Sequence, residues 1–276
     1  MIDELEGVLA APTARMLVSQ VRAGVWRDAE DELAEEMPVA LEYNGVSHAV
    51  MLATPADIAE FALGFSLSEG IIGSAREFHG VDVSESADGI TAHIEIAGGA
   101  FARLKDRRRS MAGRTGCGLC GVDSLAQVIR PLPYVAPTRA LSVDAIRRAV
   151  AGVRLQQPLN RITGATHAAL WCDAKGEFVV GFEDVGRHNA LDKLIGGLTH
   201  EGVDLADGFA LITSRASVEM VQKAATMGMS ALVAISAPTA LAVRTAQACG
   251  LTLVAFARGN DFVAYAHGTN INMDSL

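Results

Sequence analysis

Missing from this 276-residue sequence is any apolar run near the ~20 residues that a membrane-crossing helix needs. Missing too is the pattern of a secretory leader. In MIDELEGVLAAPTARMLVSQ the first charges are acidic, and Pro12 and Arg15 interrupt the apolar stretch. The expectation is a cytoplasmic protein with no membrane partner. Cysteine is scarce: four in the whole chain make no disulfide framework. Positive charge is also in short supply. With 23 Lys and Arg against 32 Asp and Glu, the net charge of −9 excludes a general nucleic-acid binder, which needs a broad basic face. No Walker sequence occurs, so a standard ATP fold is not expected. Internal repeats and low-complexity segments are absent as well.

What is present is half apolar, ample for one large core or two modest domains. Residues 1–36 are polar, end in the acidic run from Asp28 to Glu36, and are expected to form a strand-and-tail region capping the fold. PVALEYNGVSHAVMLAT, residues 38–54, reads as a β-hairpin about the turn Asn44-Gly45. Thr54 then stands where a helix cap belongs, with Pro55 in the first position and Ile58, Phe61, Ala62 and Phe65 at helical spacing. Ile90, Ala92, Ile94 and Ile96 alternate within 86–99, which predicts another strand. A short helix is expected from Asp123 or Ser124 to Pro131. PLPYVAPTRA, residues 131–140, is a proline-rich connector and marks the boundary between an N-terminal α+β domain, 37–135, and a C-terminal α/β domain, 136–276.

Ser142 is placed to cap the next helix, with Leu141 stapling against Ile146. Residues 165–172 and 177–184 read as paired strands around Lys175-Gly176, and a helix follows over about 188–198. Strands at 208–214, 231–237 and 251–257 alternate with helices from Val218 to Met229 and from Thr239 to Cys249, the second stopped by Gly250. Residues 262–267 add a last strand. This alternation predicts crossover connections and a largely parallel sheet.

Ligands of open α/β sheets sit beyond the C-terminal strand ends. Three such ends are small and polar here: Thr213-Ser214-Arg215, Ser236-Ala237-Pro238-Thr239 and Ala257-Arg258-Gly259-Asn260. Two of them precede helix N-termini, whose free N–H groups attract anions, and Arg215 and Arg258 supply guanidinium forks suited to phosphate. An anionic, nucleotide-like ligand fits this pattern.

The most unusual segment is GRTGCGLCG, residues 113–121, where glycines flank Cys117 and Cys120. Arg103, Lys105, Arg107, Arg108, Arg109 and Arg114 lie just ahead, either as a solvated arginine-rich loop or as cations that favour thiolate over thiol. Zinc needs about four ligands. Cys117 and Cys120 give two, and His167 with Cys172 offer two more, although both also suit buried strand positions. A thioredoxin-type redox pair would open a helix after a strand, and no such pattern surrounds this one. A thiolate on a glycine-rich loop is equally suited to carry sulfur as a persulfide. Spacing alone does not choose between zinc and sulfur.

EDVGRHNALDKLIG, residues 183–196, closely resembles the signature of the formate dehydrogenase accessory protein family (FdhD), which carries sulfur for molybdenum enzymes. The resemblance extends from about residue 30 to the C-terminus. It includes EYNGVSHAVMLATPADIAEFALGFSLSEGII, GCGLCG, ITGATHAAL, TSRASVEMVQKAATMG, ISAPTALAV and AFARGNDFVAYAH, in order. The resemblance implies a sulfurtransferase that takes sulfur from a cysteine desulfurase and passes it to the molybdenum cofactor required by formate dehydrogenase. Cys117 would carry the persulfide and Cys120 would assist. The bis-molybdopterin guanine dinucleotide form of the cofactor would bind the C-terminal domain at Phe256, Ala257, Arg258, Gly259, Asn260 and Asp261, where a guanine nucleotide also fits. Thr213, Ser214, Arg215, Ser236 and His188 join the expected binding set. The family implies a three-layer α/β/α core with a mixed sheet, similar to cytidine deaminases, and a homodimer. Deamination itself is excluded: zinc deaminases carry H-x-E before P-C-x-x-C, whereas here the CxxC precedes His167 and Ala169 replaces the glutamate. The alternatives are a zinc-stabilised binding module and a chaperone that holds the cofactor without transferring sulfur.

Within the signature, His188 and Asp192 stand one helical turn apart, as do Asn189 and Lys193, the pattern of an ordinary surface helix or of a cofactor-facing one. His188, with an unperturbed pKa near neutrality, is suited to exchange a proton during transfer.

Overall fold

The computed structural model describes residues 9–112, 131–137 and 141–273. Its first element is a ribbon, β1 (Thr13–Arg22) antiparallel to β2 (Val25–Ala34), forming a two-stranded sheet of its own. Ala23 and Gly24 both have positive φ, as a two-residue turn matched to strand twist requires. The acidic run therefore lies in a strand. No face of that strand is fully buried, so polar and apolar residues do not alternate cleanly in its sequence.

The hairpin β3 (Met37–Tyr43) and β4 (Val46–Ala53) forms as expected around Asn44-Gly45. After α1 (Ile58–Ser68), β5 (Phe78–Ser86) and β6 (Gly89–Ile96) complete a four-stranded sheet ordered β4-β3-β6-β5. Thr54 does not cap α1, because its backbone and hydroxyl are engaged with residues 184–193, and Asp57 takes the N-cap position instead. The arginine-rich stretch is helical where described: α2 (Gly98–Ala112) buries Ala100 and Leu104 one turn apart. Arg103 donates to Glu77 at 2.8 Å rather than waiting on a thiol.

β7 (Leu141–Ser142) leads into α3 (Val143–Gly152), capped by the Ser142 hydroxyl, which accepts from Ala145 N at 3.0 Å. α4 (Pro158–Thr163) then precedes β8 (His167–Asp173), β9 (Phe178–Asp184), α5 (Arg187–Glu201), β10 (Gly208–Ile212), α6 (Val218–Thr226), β11 (Ala231–Ala234), α7 (Ala240–Cys249), β12 (Thr252–Arg258) and β13 (Asp261–Ala266). A short β14 (Ile271–Asn272) pairs with β7. The second sheet has six strands ordered β13-β12-β11-β10-β8-β9. Only β10, β11 and β12 run parallel to their neighbours within that trio, while β8, β9 and β13 join antiparallel. The sheet is thus mixed rather than largely parallel. Tight connections at Lys175-Gly176 and Gly259-Asn260 can link only antiparallel neighbours.

Alternation along β8 sends side chains into two cores. Ala169 and Trp171 join a large cluster with Phe61 of α1, Leu191 and Leu194 of α5, Met220 of α6 and the inner face of the four-stranded sheet, Val39, Leu41 and Ile94. Ala168, Leu170 and Cys172 pack on the opposite face with Ile146 and Ala149 of α3. Helices α1 and α5 approach unusually closely. A Cβ on Gly64 would lie 1.7 Å from the Asp192 carbonyl oxygen, and one on Gly196 would lie 2.0 Å from that of Glu60.

Candidate functional site

Most of the signature is committed to the interior. The Glu183 carboxylate accepts from Leu159 N, Asn160 N and the Thr166 hydroxyl, each at 2.8 Å, and so caps α4 from another element. Asp184 accepts from Thr54 N at 3.0 Å, Gly186 N at 2.7 Å and Asn189 Nδ2 at 2.9 Å, and pairs with Lys193 Nζ at 2.8 Å, both side chains fully buried. Lys193 also donates to the Thr54 carbonyl. Asp192 pairs with Lys223 at 2.9 Å, and Lys223 reaches Glu69 at 2.6 Å and Ser68 at 2.9 Å. Burial alone would lower the Lys223 pKa, but the two carboxylates outweigh it and hold the ammonium charged. The i, i+4 pairs expected on a surface helix are therefore not formed. Asp192 and Lys193 face inward and pair with other elements.

Arg187 and His188 are the exceptions. They begin α5, and among the described residues Arg187 Nε and His188 Nε2 are buried atoms without a hydrogen-bond partner. The nearest acid to His188 is Glu219 Oε2, 3.9 Å away. Burial, then the Arg187 guanidinium, holds the His188 pKa down to about 4, so its imidazole is neutral at physiological pH. His167, which opens β8 opposite Asp184 in the ladder, is shifted down too, by burial and then by Arg187 and Arg215. Glu219 sits low despite its burial, because the Ser217 hydroxyl, a backbone N–H, His188 and Arg187 all favour its charged form. His167, Arg187, His188 and Arg215 thus converge at the edge where β9 and β10 end and β8 begins.

The same edge continues across β11 and β12, and backbone bonds stitch it together. Ala216 N donates to Ala237 O, Thr239 N to Ala216 O, and Phe256 N to Ser236 O. Thr213 and Ser214 are occupied structurally: the Thr213 hydroxyl accepts from Ala168 N at 2.9 Å, and Ser214 is buried with its hydroxyl donating to the Arg215 carbonyl. Arg215 is exposed. At the end of β12 the chain bulges. Phe256 holds φ 51 with 42% of its surface exposed, a rare conformation for a bulky residue and one that clusters at binding sites. Ala257 is buried, Gly259 and Asn260 form the turn, and Arg258 Nε donates to the Ile235 carbonyl. Phe256 and Tyr265 face Pro238, Thr239, Val243 and Arg244 across an open cleft of about 470 Å³. Thr239 caps α7 there, accepting from Ala242 N at 3.2 Å.

Comparison with known proteins places this arrangement. The model of the FdhD/NarQ family matches residues 34–272, most of the chain. The chain belongs to the FdhD/NarQ family. It is 52% identical over 256 residues to the sulfur carrier protein FdhD of Bordetella bronchiseptica, covering 92% of this chain and 93% of that one. It is 53% identical over 255 residues to the protein of the same name from Variovorax paradoxus, covering 92% of each chain. It is 54% identical over 250 residues to that of Cupriavidus necator, covering 91% of this chain and 87% of the other. A crystal structure of a protein described as a formate dehydrogenase accessory protein from Desulfotalea psychrophila superposes with a TM-score of 0.74 at 22% identity, over 95% of this chain and all of that one. That likeness is one of fold.

In this FdhD/NarQ family member, Cys117 and Cys120 lie outside the described residues, as does the short helix expected from Asp123 to Pro131. His167 and Cys172 are not placed to complete a zinc site together. Five positions apart on β8, they point to opposite faces roughly 16 Å from one another. Burial pushes the Cys172 and Cys249 thiols up, away from reactive thiolate. Among the described residues no group of three or more His, Cys, Asp and Glu is placed to hold a metal. Arg187, Arg244 and Tyr265 were not singled out from sequence, and His167 was considered only as a zinc ligand. Arg187 adjoins His188 in the signature and was within reach. The other three become neighbours only through strand order.

Proposed function

We propose that the chain is a cytoplasmic sulfur carrier that loads a persulfide on Cys117 and delivers its sulfur to the molybdenum cofactor needed by a formate dehydrogenase. The observation that carries this reading is identity above 50% to sulfur carrier proteins over more than nine-tenths of this chain, with GCGLCG inside the matched region. In the loading step the Cys117 thiolate attacks the terminal sulfur of a cysteine desulfurase persulfide. The donor S–S bond breaks, the desulfurase cysteine leaves as thiolate, and a new S–S bond forms at Cys117. Cys120 lies close enough in sequence to assist. Two regions share the work: residues 37–135 bear the thiols, and residues 136–276 hold the acceptor.

The acceptor, bis-molybdopterin guanine dinucleotide, is cargo, and the cleft beside β12 suits its nucleotide portion. Phe256 and Tyr265 offer aromatic faces for a purine, while Arg244 and the N-terminus of α7 favour phosphate. Helices on both faces of a mixed sheet support kinship with the three-layer cytidine-deaminase core, and the active unit is a homodimer.

Peptide mass spectrometry after incubation with a cysteine desulfurase and cysteine tests the carrier role. The expected result is one reductant-labile sulfur on the Cys117 peptide, absent in Cys117→Ala. No added sulfur, together with stoichiometric zinc on the same peptide, would make the loop a structural clasp. Normal formate dehydrogenase maturation by Cys117→Ala would leave a chaperone that holds the cofactor.

A further inference from the structure

The structure assigns a second anion site to this edge, distinct from the cleft at Phe256. We infer that His167, Arg187, His188 and Arg215 bind a tetrahedral oxyanion of two or more negative charges. The inference rests on the proposed function only for where such a group comes from; the site itself stands on its own geometry.

Two guanidinium groups converge here, and Glu219 is an acid that feels the Arg187 charge. Among the described residues neither Arg187 nor Arg215 forms an ion pair or a side-chain hydrogen bond. The nearby carboxylates of Asp184, Asp192 and Glu69 are taken by Lys193 and Lys223. A buried guanidinium N–H with no acceptor is costly and unusual in native proteins, and Arg187 Nε is one. It starts α5, a 15-residue helix whose first-turn N–H groups and dipole add to the same field. Glu219 is exposed, and its Oε2 lies 3.9 Å from His188 Nε2, beyond hydrogen-bond distance. His188 Nε2 is buried and unpartnered among the described residues, so it has a polar position to offer a ligand oxygen.

The two sites are separated by strand order. From β12 to β8 is three strand spacings, about 14 Å. A ligand seated at Phe256 with its far end charged would reach from one to the other. The oxyanion has two possible sources, the phosphates of the nucleotide or a second charged group beyond them, and both carry the same chemistry.

Isothermal titration calorimetry on the full chain separates these outcomes, with inorganic phosphate, pyrophosphate and guanosine diphosphate as probes. Pyrophosphate is expected to bind, and Arg187→Gln and Arg215→Gln are each expected to weaken it at least about tenfold. Arg22→Gln, at the exposed end of β1 and outside both sites, is expected to leave it unchanged. Arg187→Lys, which keeps charge but not the fork, should restore part of the affinity. Thermal unfolding of each variant guards against misfolding, and exposed Arg215 provides the second, structurally innocuous probe. If guanosine diphosphate competes with pyrophosphate, the site holds the nucleotide's own phosphates; if both bind at once, it holds a further charged group. Undetectable pyrophosphate binding, or affinity unchanged in both arginine variants, would overturn the inference. Sulfur loading of Cys117 is measured separately, so either reading can fail while the other stands.

Discussion

Two ionic clusters sit within one turn of each other on α5 and are built on opposite terms. In the inner one, Asp184 with Lys193 and Asp192 with Lys223 are buried, opposite in sign and rich in hydrogen bonds. In the outer one, Arg187, Arg215 and His188 are partly exposed; among the described residues neither arginine forms an ion pair, and His188 has only Glu219, 3.9 Å away. The inner cluster ties the loop at Thr54 and the end of α1 to the second sheet. The outer one makes no such tie among the described residues. The difference separates what the signature does for stability from what it leaves for a ligand.

The contrast is broken most severely by emptying the inner cluster. Lys193→Ala leaves the Asp184 charge buried without its cation and is expected to cost about 3–5 kcal/mol in urea unfolding. A loss below about 1 kcal/mol would mean that water reaches the pair and that it is not the anchor described. Gly196→Ala comes next. Its new Cβ would lie 2.0 Å from a backbone oxygen, which no side-chain rotation relieves. Overpacking of this kind costs about 1–3 kcal/mol, and an unchanged midpoint would show that α1 and α5 can separate freely.

The sequence made much of this readable where local chemistry decides the outcome. Ser142, Thr239 and Gly250 act at helix ends as their residue types suggest, and Asn44-Gly45 turns the β3–β4 hairpin. It misled where a residue's partner lies far away in the chain. Thr54 looks like a cap but bonds across 130 positions to Asp184. Asp192 and Lys193 look like surface pair formers, yet their partners arrive from α6 and from the end of β9. The strand-end binding residues could be listed from sequence, but the proximity by which Arg187 disfavours a charge on His167 depends on β8 lying between β9 and β10, which periodicity does not encode.

Against those losses, Arg187→Gln is expected to change stability by no more than about 0.5 kcal/mol, because it removes no bond the fold makes. That result beside a tenfold loss of pyrophosphate binding would sharpen the division of labour. A destabilisation matching Lys193→Ala would erase it.

The smallest expected effect is a slope with pH. His188 has a folded-state pKa of about 4 against an ordinary 6.5. As pH falls below 6.5 the unfolded chain takes up a proton that the folded chain refuses, so stability present at pH 7 is lost progressively toward pH 4. His167, also shifted down, acts in the same direction. Glu219 is held low as well, but its stabilising effect is present above its ordinary 4.5 and fades only below that, outside the window between pH 7 and 5. Urea midpoints at those two pH values should therefore fall further for the wild type than for His188→Gln. Equal falls would mean that the imidazole titrates as it does in water and that Arg187 does not share its pocket. A bound oxyanion beside Arg187 would weaken the repulsion that disfavours imidazolium, so pyrophosphate should shallow the wild-type slope and leave that of Arg187→Gln nearly unchanged.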